Sequence, residues 1–341
     1  MDVAAIFEDP RLMFFGTEGE VARFVPMTRE TYARSIFFDR RLQPAEQRFI
    51  QAPLGPLIAH LDRAGFVPPR LRFIHHFAHS GSTLLARALD NPDNLVIREP
   101  AHLRQLGVFA GAGVKETIPP ALRPPLALSL AMLGKRFSPN STVIVKGNVP
   151  ISLLAGAIAE MDPGQPAILL YFPLEDYCAA VLRTPGHRGW VERVTADIAL
   201  SRDPLVGDIL RLNTAEKAAA LWYSMIKRFE RMLATYPSMR SLDANQLFDQ
   251  PAETIAAASD LLGAGLDPQR ARAIADGPLL SSYSKNPNVP FDNVARRKLS
   301  DESKALLTEE IKNARRWVEK RPAQVPAALD RPLAGESPSL I

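Results

Sequence analysis

Leu71-Arg-Phe-Ile-His-His-Phe-Ala-His-Ser-Gly-Ser-Thr-Leu-Leu-Ala-Arg-Ala-Leu89 reads as a strand, a tight turn and a helix. Phe73, Ile74 and Phe77 are strand formers, Ser80-Gly81-Ser82-Thr83 is a turn rich in hydroxyls, and Leu84, Leu85, Ala88 and Leu89 recur at helical spacing. A helix that opens straight from a strand is an anion site. Its first N–H groups have no intrahelical acceptor, and the aligned peptide dipoles add about half a positive charge there. Gly81 lets the backbone approach a ligand, and Ser82 and Thr83 offer further donors.

Outward from this stretch, four more strands are expected: Asn94 to Glu99, closed by Pro100; Thr142 to Gly147; Ala167 to Phe172, closed by Pro173; and Met239 to Ala244. They are almost continuously apolar rather than alternating, as parallel strands covered on both faces are. Helical segments separate most of them, so the expected architecture is α/β, with a central, mainly parallel sheet and helices on both faces. The clearest helix begins at Asn213, which forms a capping-box pair with Glu216, and ends before Pro237. Another runs from Pro251 to Gly263, and a last one starts at Ser300.

Before residue 71, Leu12–Phe15 and Val21–Val25 flank Gly16-Thr-Glu-Gly19 as a hairpin, and helices are expected over 29–38, 44–50 and 54–64. The organisation expected is an N-terminal extension (1–70) packing on a main domain (71–321), followed by a Pro-rich flexible tail (322–341). The stretch from Thr184 to Pro204 fits no strand and is long for a bare connection, which marks it as a candidate lid. Gly111-Ala-Gly113-Val-Lys115 follows no strand and reads as a flexible connection.

The 341 residues, 46% apolar and 23% charged, have ordinary globular composition, while thirty prolines exceed the usual share of about 5% and mark loops. With 41 basic against 37 acidic residues the net charge is only +4, and no block of like charge occurs, so a nucleic-acid partner is not expected. The one cysteine, Cys178, excludes an intramolecular disulfide and fits a reducing compartment, so the expectation is cytoplasmic. No run of eighteen apolar residues occurs, and no membrane span is expected.

A nucleoside-triphosphate loop of the G-x-x-x-x-G-K-[ST] kind would need glycine where His76 stands and lysine where Ser82 stands. The missing lysine turns the reading away from ATP. Phe77-Ala-His-Ser-Gly-Ser-Thr-Leu-Leu-Ala-Arg-Ala-Leu89 resembles instead the 5′-phosphosulfate loop of sulfotransferases, a basic residue followed by Ser-Gly-Thr/Ser-Thr and a leucine-rich helix. The resemblance continues through Glu99-Pro100, Val145-Lys146, 170–176, 241–251, Leu262-Gly263 and Ser284-Lys285, in order over most of residues 71 to 321. It implies a three-layer P-loop-type fold and an enzyme that uses 3′-phosphoadenosine 5′-phosphosulfate, without a metal, to sulfate a hydroxyl or amine of a small-molecule or peptide acceptor. The alternatives are a non-catalytic nucleotide- or anion-binding relative and a phosphotransferase.

On that resemblance His79, Ser80, Gly81, Ser82, Thr83 and Leu84 form the phosphosulfate loop, Glu99 is the base, and Lys146 stabilises the bridging oxygen or the sulfuryl group. Ser284 and Lys285 match the late donor-binding segment. There are two departures. His79 replaces a lysine or arginine, and Tyr171 and Ala179 stand where an arginine and a serine hold the 3′-phosphate; Arg183, one helical turn past Ala179, is the expected substitute. His75 and His76 are expected as core or lining residues, with His102 and His187 as candidates on the acceptor side.

Overall fold

The computed structural model describes residues 2–42, 49–112 and 119–341. Strands β1 (Leu12–Glu18), β2 (Val21–Pro26) and β3 (Ile50–Pro53) form a small antiparallel sheet. The central sheet comprises β4 (Leu71–His76), β5 (Asn94–Arg98), β6 (Thr142–Lys146), β7 (Ala167–Tyr171) and β8 (Met239–Asp243), in the order β5-β6-β4-β7-β8. All four pairings are parallel. Every residue of β5 and β7 is buried, so helices cover both faces and the near-continuous apolar runs are accounted for. A short hairpin, β9 (Ser282–Tyr283) and β10 (Asn286–Pro290), completes the strands among the described residues.

The order creates a crevice. From β4 the chain crosses to β5 on one side, whereas β7 lies on the other, and ligands of open parallel sheets bind outside the carboxyl ends of the strands at such a reversal. Those ends are His76, Arg98 followed by Glu99, Lys146 and Tyr171.

The N-terminal sheet builds a second apolar cluster, with Phe14, Phe24, Leu57 and Leu61 against Leu128 and Met132 of the helix Arg123–Leu133. Its other anchor is polar. Arg98 is fully buried and donates to Asp90 Oδ2 (2.9 Å) and to the carbonyls of Tyr32 (2.6 Å) and Ser35 (2.5 Å). Phe38 N also donates to Arg98 O (2.8 Å), which laces the segment after the helix Arg29–Arg34 onto the end of β5.

Several elements differ from expectation. The hairpin turns at Gly19-Glu20, because Gly16 lies inside β1 beside a bulge. The helix expected over 44–50 falls largely outside the described residues, and Ile50 opens β3. The candidate lid is a helix, Pro185–Asp197, capped by the Thr184 hydroxyl, which accepts from His187 N (3.2 Å). In place of one helix from Ser300 there are two, Asn293–Leu306 and Thr308–Glu319.

The segment expected as a flexible tail packs instead. Leu329 and Leu340 are buried, and Ser241 of β8 donates to Arg331 O (3.0 Å) and accepts from Leu333 N (2.7 Å), so the tail covers the sheet's edge. Among the described residues no helix is long and apolar enough to cross a membrane.

Candidate functional site

β4 ends in a turn held by two left-handed residues, His79 (φ 63°) and Gly81 (φ 77°), after which the helix Ser82–Ala88 begins. A Cβ at Gly81 would stand 2.7 Å from the ring of Phe248, so glycine serves both the backbone angle and the packing. The Ser80 hydroxyl is buried and committed to the Phe77 carbonyl (2.7 Å). Ser82, Thr83 and Leu84 line the large cavity at the carboxyl ends of the strands.

This cavity has a volume of about 1190 Å³ and also takes in His79, Glu99, Lys146, Arg183, Ser284 and Lys285. The structure thus brings together, from five parts of the chain, the residues expected for donor and catalysis, except that Ser80 lies just behind the wall. Arg183 ends the helix Leu174–Leu182, and Lys285 sits at the turn of the β9–β10 hairpin. That hairpin is tied to the loop's own helix, since Arg87 Nη1 donates to Ser284 O (2.9 Å).

Lys146, buried at the end of β6, pairs with Glu99 Oε1 and lies 3.5 Å from Thr83 Oγ1. The second carboxylate oxygen of Glu99 accepts from Arg41 Nη2 (2.8 Å). Glu99 itself has φ 57°, and its N–H donates to Lys146 O (2.7 Å), which turns the side chain across the neighbouring strand. Burial alone would raise the Glu99 pKa, but Lys146 and Arg41, the two cations in contact with it, hold it well below the usual carboxylate range. Burial lowers the pKa of Lys146, with Glu99 opposing.

Another part of the cavity wall is a basic cluster. The His79 ring lies 4.1 Å from that of His187 and 6.0 Å from Trp190, edge to face. Burial, then Lys285, His187 and Arg183, push the His79 pKa down to about 2. Lys285 is exposed by area yet stands inside the cleft, and burial together with Lys146, Arg41 and Arg183 lowers it to about 8 against the pull of Glu99. Burial likewise lowers Arg183. Neither Arg183 nor Lys285 forms an ion pair among the described residues.

Tyr171 is fully buried and does not line the cavity, while Ala179 does so with a methyl group. Arg183, one turn on, lines the same wall as Ala179. One expectation needs correction. His102 packs against Phe14 (ring centroids 4.8 Å apart, tilted) inside the core and is not an acceptor-side residue, because its helix turns it toward β1. His75 packs on Phe73 behind the sheet, whereas His76 reaches the cavity wall. Residues 113–118, which hold most of Gly111–Lys115, lie outside those described.

No protein-family description and no curated protein matches the chain. Two solved structures show a distant likeness. The sulfotransferase domain from the curacin biosynthetic pathway is 12% identical with a TM-score of 0.41, over 76% of this chain and 99% of that one. A sulfotransferase from Alicyclobacillus acidocaldarius is 12% identical with a TM-score of 0.39, over 74% and 96%. Both are remote.

Sequence reading missed Arg41, Trp190 and Phe248. Arg41 arrives by the lacing of Phe38 onto Arg98, a contact with no local signature. Trp190 was findable, since Thr184-Pro185 is a helix-start signal and puts His187 and Trp190 three residues apart on one face.

Proposed function

We propose that the cavity binds 3′-phosphoadenosine 5′-phosphosulfate and transfers its sulfuryl group to the hydroxyl or amine of an acceptor. The observation that carries this is the cluster of His79, Arg183, His187 and Lys285 on one wall, whose arginine and lysine have no carboxylate partner among the described residues. Like charges brought this close repel, and an anion with several negative groups relieves the repulsion. Lys146 supplies a further cation beside the loop hydroxyl of Thr83. A volume of about 1190 Å³ exceeds the usual ligand pocket, about 300–1,000 Å³, and leaves room for donor and acceptor together.

The residues divide by role. The loop from His79 to Leu84 and Lys146 face the phosphosulfate end, where charge grows on the bridging oxygen as the sulfuryl group departs. Arg183 and Lys285 face the 3′-phosphate in place of the side chains that Tyr171 and Ala179 lack. Glu99, beside Lys146, takes the acceptor's proton. The acceptor is a small molecule or peptide. A second reading, a binding protein without transfer, draws on the apolar Ala179 and the doubly paired Glu99.

Calorimetry without magnesium tests the donor. Adenosine 3′,5′-bisphosphate binds more tightly than ADP on this reading, and equal affinity for the two overturns it. Transfer of labelled sulfuryl from the donor to a panel of hydroxyl and amine acceptors separates the enzyme from the binding protein.

A further inference from the structure

Both oxygens of Glu99 are occupied by cations, one by Lys146 and the other by Arg41 at 2.8 Å. The charged and titratable groups that face this carboxylate are Lys146 from β6, Arg41 from the N-terminal segment, His76 from β4 and Lys285 from the β9–β10 hairpin. His76 is buried and neutral. Its Nδ1 lies 2.6 Å from the Phe77 carbonyl, which can only accept, so Nδ1 carries the proton. A carboxylate between two cations is a poor proton acceptor until one of them leaves.

The two cations are not held alike. Arg41 is fastened elsewhere: it bonds both oxygens of Asp39 and stacks 3.4 Å over the Phe37 ring. Lys146 has no second carboxylate among the described residues. Besides Glu99, its ammonium meets Thr83 Oγ1 at 3.5 Å, in the first turn beyond the loop, and lies over the same Phe37 ring at the longer distance of 5.6 Å from its centroid. An anion in the loop therefore competes with Glu99 for this one ammonium.

We propose that Lys146 is passed from Glu99 to the bound donor, so that Glu99 becomes a competent base only once the donor is in place, and that Arg41 is the positioning residue that holds the released carboxylate. This rests on the sulfuryl-transfer reading. In the transfer the acceptor's O–H or N–H proton goes to Glu99, and its heavy atom forms the new bond to sulfur. The bond from sulfur to the bridging oxygen breaks, and the electron pair stays on the phosphate, where Lys146 meets it. Acceptor alone finds no competent base in the free protein, so proton transfer waits for the donor.

The test titrates Glu99 by NMR in a chain labelled with ¹³C at the glutamate carboxyl, the signal assigned with Glu99→Gln. Saturating adenosine 3′,5′-bisphosphate raises its apparent pKa by about one unit or more, and inorganic phosphate at the loop does so as well. In Lys146→Met the free-protein value is already raised, and the anion adds less than half the wild-type shift. An unmoved Glu99 with bisphosphate bound, or an equal shift in Lys146→Met, overturns the exchange and leaves the donor assignment standing. Phosphate that binds and moves Glu99 while bisphosphate fails to bind supports the exchange and overturns the donor. If neither anion binds, both fall.

Should Lys146→Met not fold, the unmutated chain decides. The Lys146 amine ¹⁵N resonance must change on bisphosphate binding and couple to ³¹P, and an unchanged resonance overturns the proposal. For Arg41, Gln at this position raises the acid limb of the kcat–pH profile and Lys restores it in part. A profile unchanged in Arg41→Gln removes Arg41 from the role.

Discussion

His79 and His187 stand with ring centroids 4.1 Å apart, one on the anion loop and the other in the first turn of the helix Pro185–Asp197. They share the wall with Arg183 and Lys285, and burial, with the field of these neighbours added, pushes the His79 pKa to about 2. In the free protein His79 is therefore neutral at any working pH. A bound polyanion reverses the sign of the local field and raises the ring pKa, so protons are taken up on binding. Lys285, at about 8, loses its charge in the free protein as pH rises through that value. Both effects have one sign: affinity for adenosine 3′,5′-bisphosphate falls as pH rises from 6 to 9, by up to about tenfold per pH unit for each proton taken up. Calorimetry in buffers of different ionisation enthalpy counts those protons, and a flat profile with no uptake contradicts the cluster's role.

The loop depends on Gly81 in two ways, its φ of 77° and the Phe248 ring 2.7 Å from where a Cβ would be. The left-handed angle alone costs an L side chain about 1–2 kcal/mol. Gly81→Ala is expected to lower stability by at least that amount and to weaken anion binding, because the N–H groups of the turn move with it. Adding Phe248→Ala removes the clash but not the angle, so only part of the loss returns. Full recovery in urea denaturation and in bisphosphate affinity would show that packing alone requires the glycine.

How much of this was legible in the sequence follows from which contacts are local. The carboxyl ends of the strands were legible because a parallel strand buried on both faces is apolar along most of its length, so the polar residues that close the runs, Arg98-Glu99 and Lys146, fall at the rim of the sheet. The turn at 79–83 was legible from its glycine. Arg41 was not, because Asp39-Arg40-Arg41 looks like any solvated charge cluster until Phe38 N finds Arg98 O. The tail was misjudged for a related reason: prolines exclude a helix or an inner strand, but not a chain laid along the edge of β8, where few N–H donors are needed.

Arg98 holds the N-terminal segment to the main sheet and thereby places Arg41. Its guanidinium bonds Asp90 and the carbonyls of Tyr32, Ala33 and Ser35, with almost no exposure to water. Removing one member of a buried pair leaves the other charge uncompensated, at a cost of about 3–5 kcal/mol. Asp90 keeps Arg29 as a partner (2.8 Å), which moderates the electrostatic part, but the three carbonyls lose their donor. Arg98→Met is therefore expected near the lower end of that range in urea denaturation. If it folds, Glu99 should titrate closer to an ordinary carboxylate, because Arg41 is no longer delivered. A loss below 1 kcal/mol would mean that the segment is held by its apolar contacts alone.

The C-terminal tail makes a prediction of a different kind, since it is part of the sheet's protection rather than of the site. Leu329 and Leu340 are buried, Ser241 exchanges two backbone bonds with Arg331 and Leu333, and Leu340 O accepts from Leu174 N (2.9 Å) at the start of the helix after β7. Two fully buried leucines contribute roughly 3–6 kcal/mol together. Deleting residues 329–341 is expected to lower stability by an amount in that range. The uncovered edge of β8 then presents unpaired N–H and C=O groups, a template for another strand, so the truncated chain should self-associate as its concentration rises. Light scattering with denaturant titration checks both parts. A truncated chain that stays monomeric with unchanged stability would mean that the tail lies on the sheet without holding it.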